Sequence, residues 1–500
     1  MKEGEGASPD KQVKCEASSR FNQYYSTVAG TVPCLIIPFP VVTLASLAMG
    51  TAMGYTSPAG PLIMGTPGAL NLSQNQYDWF LSSINLGAAA GGLLGGWGIN
   101  TLGRRATILV SCPPCLAGWA LIGSSSNFAM LLGGRVVTGV CVGVTSVAVP
   151  TYIGEIASPH IRGVLGSGVQ LMLSVGVVVV YGAGAAVGSW RWLAFCCSVV
   201  PLLCFALVIF THESPAFLVS RGRDQHAAAA LHYFRGKHHN ISEELEKLQS
   251  FHQETQERGP VSLRDLSEPK NYRPFMICLS LLLFSQFCGM TPVVFNMATV
   301  FKDSGVALSA NVSAQVVGWV QVVGTAAASV LMDKAGRKVW LLVSTAGTAA
   351  SIVGLGTYFY LKKEDSVWTS ENLDWLPLAC LVVFMAAFSL GLGPVPWVTF
   401  GEMLPHEVKA VTGSLVSCAV RIAAFVSTIT FVPLQASLGE PGVYWLYGAV
   451  CLLGLVYTLL MVPETKGMTL HQINMHFHHP DSVNASKMDP ANCSSSQFAS

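Results

Sequence analysis

The run Gly391-Leu392-Gly393-Pro394-Val395-Pro396-Trp397 interrupts an apolar segment, near 376–400, that is otherwise long enough to cross a bilayer. Glycine and proline remove the backbone order and hydrogen bonds that a buried helix needs, and lipid supplies no substitute. A helix broken at this depth is tolerated only where the freed groups meet neighbouring protein or a water-filled cavity. The stretch is therefore expected to form the wall of a solute pathway; a kink that serves packing alone is the structural alternative.

Outward from this break the whole chain reads as membrane-embedded. Its 500 residues are 51% hydrophobic and only 11% charged, too apolar for a soluble protein. Stretches long enough to span about 30 Å of hydrocarbon recur near 36–57, 79–99, 106–124, 128–150, 163–187 and 190–210. After a polar stretch, six more follow near 274–301, 312–332, 339–361, 376–400, 410–436 and 441–462. The expected fold is an all-α membrane protein with 12 transmembrane helices in two six-helix pseudo-symmetric bundles. It divides into a cytoplasmic tail (1–30), a first bundle (31–210), a cytoplasmic helical loop (211–272), a second bundle (273–467) and a C-terminal tail (468–500).

Charge is scarce and placed on one side. Gly103-Arg104-Arg105, Arg162, the middle loop, Lys334-Ala335-Gly336-Arg337-Lys338 and Lys409 all fall in loops of one face, which the positive-inside bias makes cytoplasmic, with both termini. The sequon Asn71-Leu72-Ser73 then lies in the first outer loop and is the glycosylation candidate; Asn311-Val312-Ser313 sits at a helix end close to the bilayer. In the middle loop, Asn240 with Glu243 and Ser262 with Asp265 have capping-box spacing, and Leu245, Leu248 and Phe251 recur at helical intervals. Short amphipathic helices that latch onto the cytoplasmic face are expected; a solvated linker is the alternative.

Other chemistries find no support. A net charge of +1 offers no nucleic-acid surface. The 14 cysteines lie mostly in apolar segments, and Cys112-Pro113-Pro114-Cys115 has no second pair nearby, so no metal is expected. His476, His478 and His479 sit in a low-complexity tail that reads as solvated. There is no Walker phosphate loop, His-Glu-x-x-His or Gly-x-Ser-x-Gly, so neither an enzyme nor a cofactor is indicated.

The two halves repeat one another. Gly103-Arg104-Arg105 recurs as Gly336-Arg337-Lys338, Glu155 with Arg162 as Glu402 with Lys409, and Glu213-Ser214 as Glu464-Thr465. Parallel six-helix repeats of this kind tilt about a central site. Opposite charges at the inner rim (Arg104, Arg105, Arg162, Arg337, Lys338 and Lys409 against Glu155, Glu213, Glu402 and Glu464) are expected to pair and close the cytoplasmic side. Each exposed pair contributes only about 0–1 kcal/mol, yet a network biases two nearly balanced states.

These motifs, together with Gly54-Tyr55-Thr56-Ser57-Pro58, Gly134-Arg135, Trp190-Arg191-Trp192, Gly393-Pro394-Val395-Pro396-Trp397 and Pro463-Glu464-Thr465-Lys466-Gly467, resemble the sugar-porter branch of the major facilitator superfamily, and within it the facilitative hexose transporters. The resemblance runs from about Met49 to Gly467. It implies alternating-access carriage of a hexose or related polyol, with Gln170, Gln286 and Trp397 at the family's solute-binding positions. Their chemistry agrees independently, because a sugar needs amides and hydroxyls around it and an aromatic plane against its C–H face. Helix–helix hydrogen bonding and packing are the structural readings of the same residues. Ser285, Thr291 and Gln321 stand where the family has glutamine or asparagine, and Arg421 where it has tryptophan. A cation at that depth costs a few kcal/mol unless paired or wet, so Arg421 either touches a polar or anionic solute or meets a protein carboxylate.

Proton-driven relatives carry an aspartate on the first span facing Arg135; this chain has Thr56, which does not titrate near neutral pH. Uniport is the expected mode. A proton-coupled carrier using another acid, and a nutrient sensor that binds without turnover, are the alternatives. The expected partners are a small-molecule sugar and the bilayer, in a plasma or endo-lysosomal membrane.

Overall fold

The computed structural model describes residues 38–65, 70, 72–157, 162–236, 240–258, 269–304, 309–364, 369, 372–403 and 406–464. The two tails, Asn71 and the Ser262–Asp265 cap lie outside the described residues. The first half runs α1 (Pro38–Gly54), α2 (Thr56–Gly65), α3 (Gln74–Thr101), α4 (Arg104–Gly123), α5 (Phe128–Ile156), α6 (Arg162–Val187) and α7 (Trp190–Val208). Three linker helices follow, α8 (Pro215–Ser220), α9 (Asp224–Arg235) and α10 (Ser242–Arg258). The second half runs α11 (Pro269–Phe287), α12 (Met290–Phe295), α13 (Met297–Ser304), α14 (Ala310–Ala335), α15 (Arg337–Glu364), α16 (Leu376–Leu390), α17 (Val395–Met403), α18 (His406–Ile429) and α19 (Phe431–Met461).

Four of the twelve spans are broken helices: α1 with α2, α11 with α12 and α13, α16 with α17, and α18 with the first residues of α19. Among the described residues, 10 helical segments, two of them running across a break, are long and apolar enough to cross a membrane. The first two spans fall short for physical reasons: the first is split at Tyr55, and α3 is rich in glycine, serine and asparagine. Near the C-terminus, α19 is kinked at Gly439 (φ 75°, ψ 164°). Residues 431–438 thereby extend the eleventh span, and the twelfth follows the kink.

Small residues set the tightest helix pairs. Gly87 and Gly91 of α3 abut the backbone of Val136 and Val140 on α5, while Gly139 and Gly143 of α5 abut Ile84 and Ala88. With no hydrophobic drive between helices in lipid, such close backbone approach is what van der Waals packing can use. Between the halves, α3 lies along α18 and α6 along α14. Taking the charged rim as the inner end, the outer end is sealed across the halves: Tyr181 donates to the Val294 carbonyl (3.0 Å) and the Ala298 N–H to Ser57 Oγ (3.2 Å).

Among the described residues, the linker helices dock on the first half. Arg235 donates to the Ile156 carbonyl at the end of α5 (2.6 Å) and pairs with Glu244 (2.7 Å), while Ala227, Ala230 and Phe234 are buried against Tyr152 and Ile156. Leu245 and Leu248 pack on the same cluster, but Phe251 is 61% exposed, so the apolar stripe of α10 stops one turn short of expectation. The Asn240–Glu243 capping box does not form either. Asn240 Oδ1 accepts from the Ser242 N–H (3.1 Å), one residue early, and Glu243 instead reaches Lys247 one turn ahead (2.5 Å).

At this junction Tyr152 donates to the carbonyl of His212, whose ring stacks on Tyr233 at 4.2 Å. Burial and the nearby charge of Arg105 hold the His212 pKa below its ordinary 6.5. A depressed histidine pKa contributes stability above the unfolded value and loses it as pH falls through the folded one. Amide hydrogen exchange in α9, corrected for its intrinsic rate, is therefore expected to accelerate below about pH 6.5, and His212→Gln should remove that pH dependence. An identical acid profile in the variant would reject the assignment.

Candidate solute site and inner gate

The seventh span breaks where Gly289 takes a left-handed conformation (φ 88°), with Tyr447 only 2.5 Å from where a Cβ would stand. Just before the break, Gln286 Nε2 donates to Ser285 Oγ (3.1 Å), and beyond it Thr291 donates to Gln286 Oε1 (3.4 Å). Ser427 of α18 donates to the Gln286 carbonyl (3.4 Å) and accepts at its own carbonyl from Tyr447 (3.4 Å). Three of the residues expected to bind solute, Ser285, Gln286 and Thr291, are thus brought into one polar knot that spans α11, α12 and α18. The Gln286 amide keeps a second N–H and a second acceptor position for a solute. Ser427 was not among the expected residues, and nothing in its local pattern marks it.

The other four candidates do not hydrogen-bond to this knot among the described residues. Gln170 is half-buried on α6, where its carbonyl accepts from Ser174 (3.1 Å). Gln321 is 5% exposed on α14, and its Oε1 is buried without a hydrogen-bond partner. It lies between Gly318, which faces Val178 and Tyr181 of α6, and Gly324, which faces Ser389 of α16. Trp397 is 41% exposed on α17.

Arg421 is half-buried on α18 and has no hydrogen bond or ion pair among the described residues. Contacts of Gly92 with Ser417 and of Trp79 with Phe425 bracket it against the stretch of α3 that carries Asn85, whose buried Nδ2 also lacks a partner. Among the described residues, no carboxylate meets Arg421.

The tenth-span break meets neighbouring protein at its start. The Leu392 N–H freed by it is taken up by Ser344 Oγ of α15 (2.7 Å), and a Cβ on Gly391 would stand 2.5 Å from both the Trp340 carbonyl and Ser344. At Gly391-Leu392 the break therefore meets protein; of the quoted stretch, Trp397 is its most exposed part.

The inner rim is built twice on one plan. Arg104 pairs with Glu155 (2.6 Å), and Arg337 with Glu402 (2.8 Å). Glu213 and Glu464 do something the charge pattern did not suggest. Glu213 accepts from the backbone N–H groups of Arg104 (2.9 Å), Arg105 (3.0 Å) and Ala106 (3.3 Å), and Glu464 from those of Arg337 (3.0 Å) and Lys338 (3.2 Å). Each carboxylate caps a helix start, where unpaired N–H groups and the positive end of the dipole favour an anion.

Among the described residues, the Arg105 and Lys338 side chains consequently pair with no carboxylate. Arg105 donates to the Val208 and Ile209 carbonyls (3.2 and 2.6 Å), and Lys338 to that of Leu459 (3.0 Å). Ser214 also donates to Glu155, which ties the two acids of the first half together. Each of these bonds lies within one half and braces its own rim. The side chains of Arg162 and Lys409 lie outside the described residues.

Arg135 on α5 is fully buried. It donates to the Ala52 carbonyl (2.8 Å), its guanidinium lies over Tyr55 and Phe80 (5.7 and 5.3 Å), and its Nε and Nη2 have no partner. Thr56 starts α2 and donates back across the break at Tyr55 to the Met53 carbonyl of α1 (3.3 Å). No acid faces this arginine from the first span.

Residues 9–477 match the model of the family described as "Sugar (and other) transporter". The facilitated trehalose transporter Tret1 of Polypedilum vanderplanki is 34% identical over 434 residues, 86% of either chain. The solute carrier family 2 facilitated glucose transporter member 8 of Bos taurus is 37% identical over 451 residues, 87% of this chain and 92% of its own. Among solved structures, the proton:xylose symporter XylE bound to 6-bromo-6-deoxy-D-glucose superposes with a TM-score of 0.74 at 23% identity, covering 89% of this chain and all of its own; at that identity the likeness speaks for the fold. Two six-helix halves with duplicated inner rims and a broken seventh span carrying an amide thus coincide with a family match over nearly the whole length, and the chain belongs to the sugar transporter family, in the solute carrier family 2-like sugar-porter branch of the major facilitator superfamily.

Proposed function

We propose that this protein is a facilitative carrier of a hexose or a small saccharide built from hexoses, working by alternating access. The Ser285–Gln286–Thr291 knot at the seventh-span break carries the reading, because it offers a sugar convergent donors and acceptors at the junction of α11, α12 and α18. Gln170, Gln321, Trp397 and Arg421 complete the solute path as the halves rock. The names of the relatives, glucose for one and trehalose for another, set the first solutes to test. Arg135 without a facing acid favours uniport over proton coupling. We place the carrier in a plasma or endo-lysosomal membrane with both termini cytoplasmic and Asn71 as the glycan acceptor.

Counterflow of labelled D-glucose and trehalose in proteoliposomes tests this. Exchange is expected without a pH gradient, and Gln286→Ala should slow it about 3- to 10-fold, the loss of one net hydrogen bond. Accumulation driven by pH would reject uniport, and binding without exchange would make the protein a sensor.

A further inference from the structure

Outside the closed seam, the halves leave a cleft of about 450 Å³, within the range of small-molecule sites. Its lining comes from α2 and α3 on one side and from α13, α15 and α19 on the other. One wall is aromatic: Phe359 and Tyr444 stack (5.4 Å, 12°), and Phe431 meets Tyr444 edge-on (6.4 Å, 66°). The lining also carries four polar groups that make no hydrogen bond among the described residues: the hydroxyls of Tyr77 and Thr299, the Gln435 amide and the Lys302 ammonium. Tyr77 is only 7% exposed, and its hydroxyl sits over Gly60 in the cleft lining. A buried phenol would find a protein partner if its site were meant to stay dry.

An apolar plane in one cleft with hydroxyls and an amide that the described residues leave free is the chemistry of saccharide recognition. We infer that this outer cleft is a second saccharide site, separate from the Gln286 knot and available while the outer seam is shut. It takes a neutral mono- or disaccharide, and the inference rests on the sugar-carrier reading for the class of ligand. Because both halves line the cleft, a bound sugar bridges them and favours the outer-closed state. High external sugar should therefore slow uptake.

Equilibrium binding of radiolabelled D-glucose and trehalose to the purified full-length carrier, with counterflow on the same preparation, tests this. A Cβ on Gly65, at the cleft wall, meets nothing within 4 Å, so Gly65→Trp fills the space without moving backbone. Two sites per chain are expected. Gly65→Trp and Gln435→Ala should each weaken one of them at least about tenfold and relieve the slowing of uptake, whereas Gln286→Ala should weaken the other. Retained binding at the Gln286 site certifies that the variants fold.

A single site lost in Gln286→Ala, with Gly65→Trp binding like the unmodified protein, overturns the inference; intact counterflow in that case leaves the carrier reading standing. A second site removed by Gly65→Trp in a protein that shows no counterflow supports the cleft and overturns the carrier instead.

Discussion

Alanine at Glu213 or at Glu464 is expected to destabilise the purified carrier by about 3 kcal/mol, far more than alanine at Glu155 or Glu402. The reason lies in what each acid touches. Glu213 holds three backbone N–H groups at the start of α4, and Glu464 holds two at the start of α15. Hydrogen bonds to a charged acceptor contribute about 1.5–3 kcal/mol each when buried; these are part-buried, so the sum is discounted by half or more. Glu155 and Glu402 face arginine side chains at 15% and 16% exposure, and such pairs return about 1 kcal/mol or less near the surface.

The glycines ahead of the caps give an independent handle on the same device. Gly103 (φ 105°) and Gly336 (φ 98°) lie in the left-handed region, and a Cβ there would stand 2.6 and 2.7 Å from the Glu213 and Glu464 oxygens. Gly103→Ala should thus combine about 1–2 kcal/mol of backbone strain with a displaced cap, and adding Glu213→Ala should cost less than the two singles summed. The thermal midpoint in detergent, read for all four acids, decides the matter. Equal losses at Glu213 and Glu155 would mean that the helix starts do not depend on their caps.

How much of this was legible follows from the range of each interaction. Span count and the rim repeat are written locally, in hydropathy and in short motifs, so they read directly from the chain. The first span and α3 sit at the edge of that signal because a break at Tyr55 and a glycine-rich face lower it. Glu213 and Glu464 were visible as charges but not as caps, since their acceptor role depends on a turn 107 to 127 residues away. Ser427 behind Gln286 and Ser344 behind Leu392 are likewise separated from their partners by 141 and 48 residues. Serine has no pattern that announces such a bond. Ser285, Gln286 and Thr291 were named only because the family resemblance marks their positions, since hydroxyls and amides recur throughout the apolar segments and their types alone do not single them out.

Arg421→Leu should make the carrier more stable and less active, and the opposite signs are what make the experiment informative. An arginine near mid-span costs a few kcal/mol unless it is paired or hydrated, and Arg421 has neither a hydrogen bond nor an ion pair among the described residues. Its neighbour across the α3–α18 seam, Asn85, presents an unpartnered donor as well. Two donors without partners among the described residues, at one level of the α3–α18 seam, suit a solute that brings its own oxygens. Leucine removes the buried charge and keeps apolar bulk, so a rise of about 1–3 kcal/mol in stability is expected. Counterflow should fall about tenfold or more as a charge-assisted bond to solute is lost. Arg421→Lys keeps the charge but not the planar fork, and should recover part of the transport without the gain in stability. A Leu variant that melts earlier than the unmodified protein would show that Arg421 holds the seam together, and its place in the solute path would then be given up.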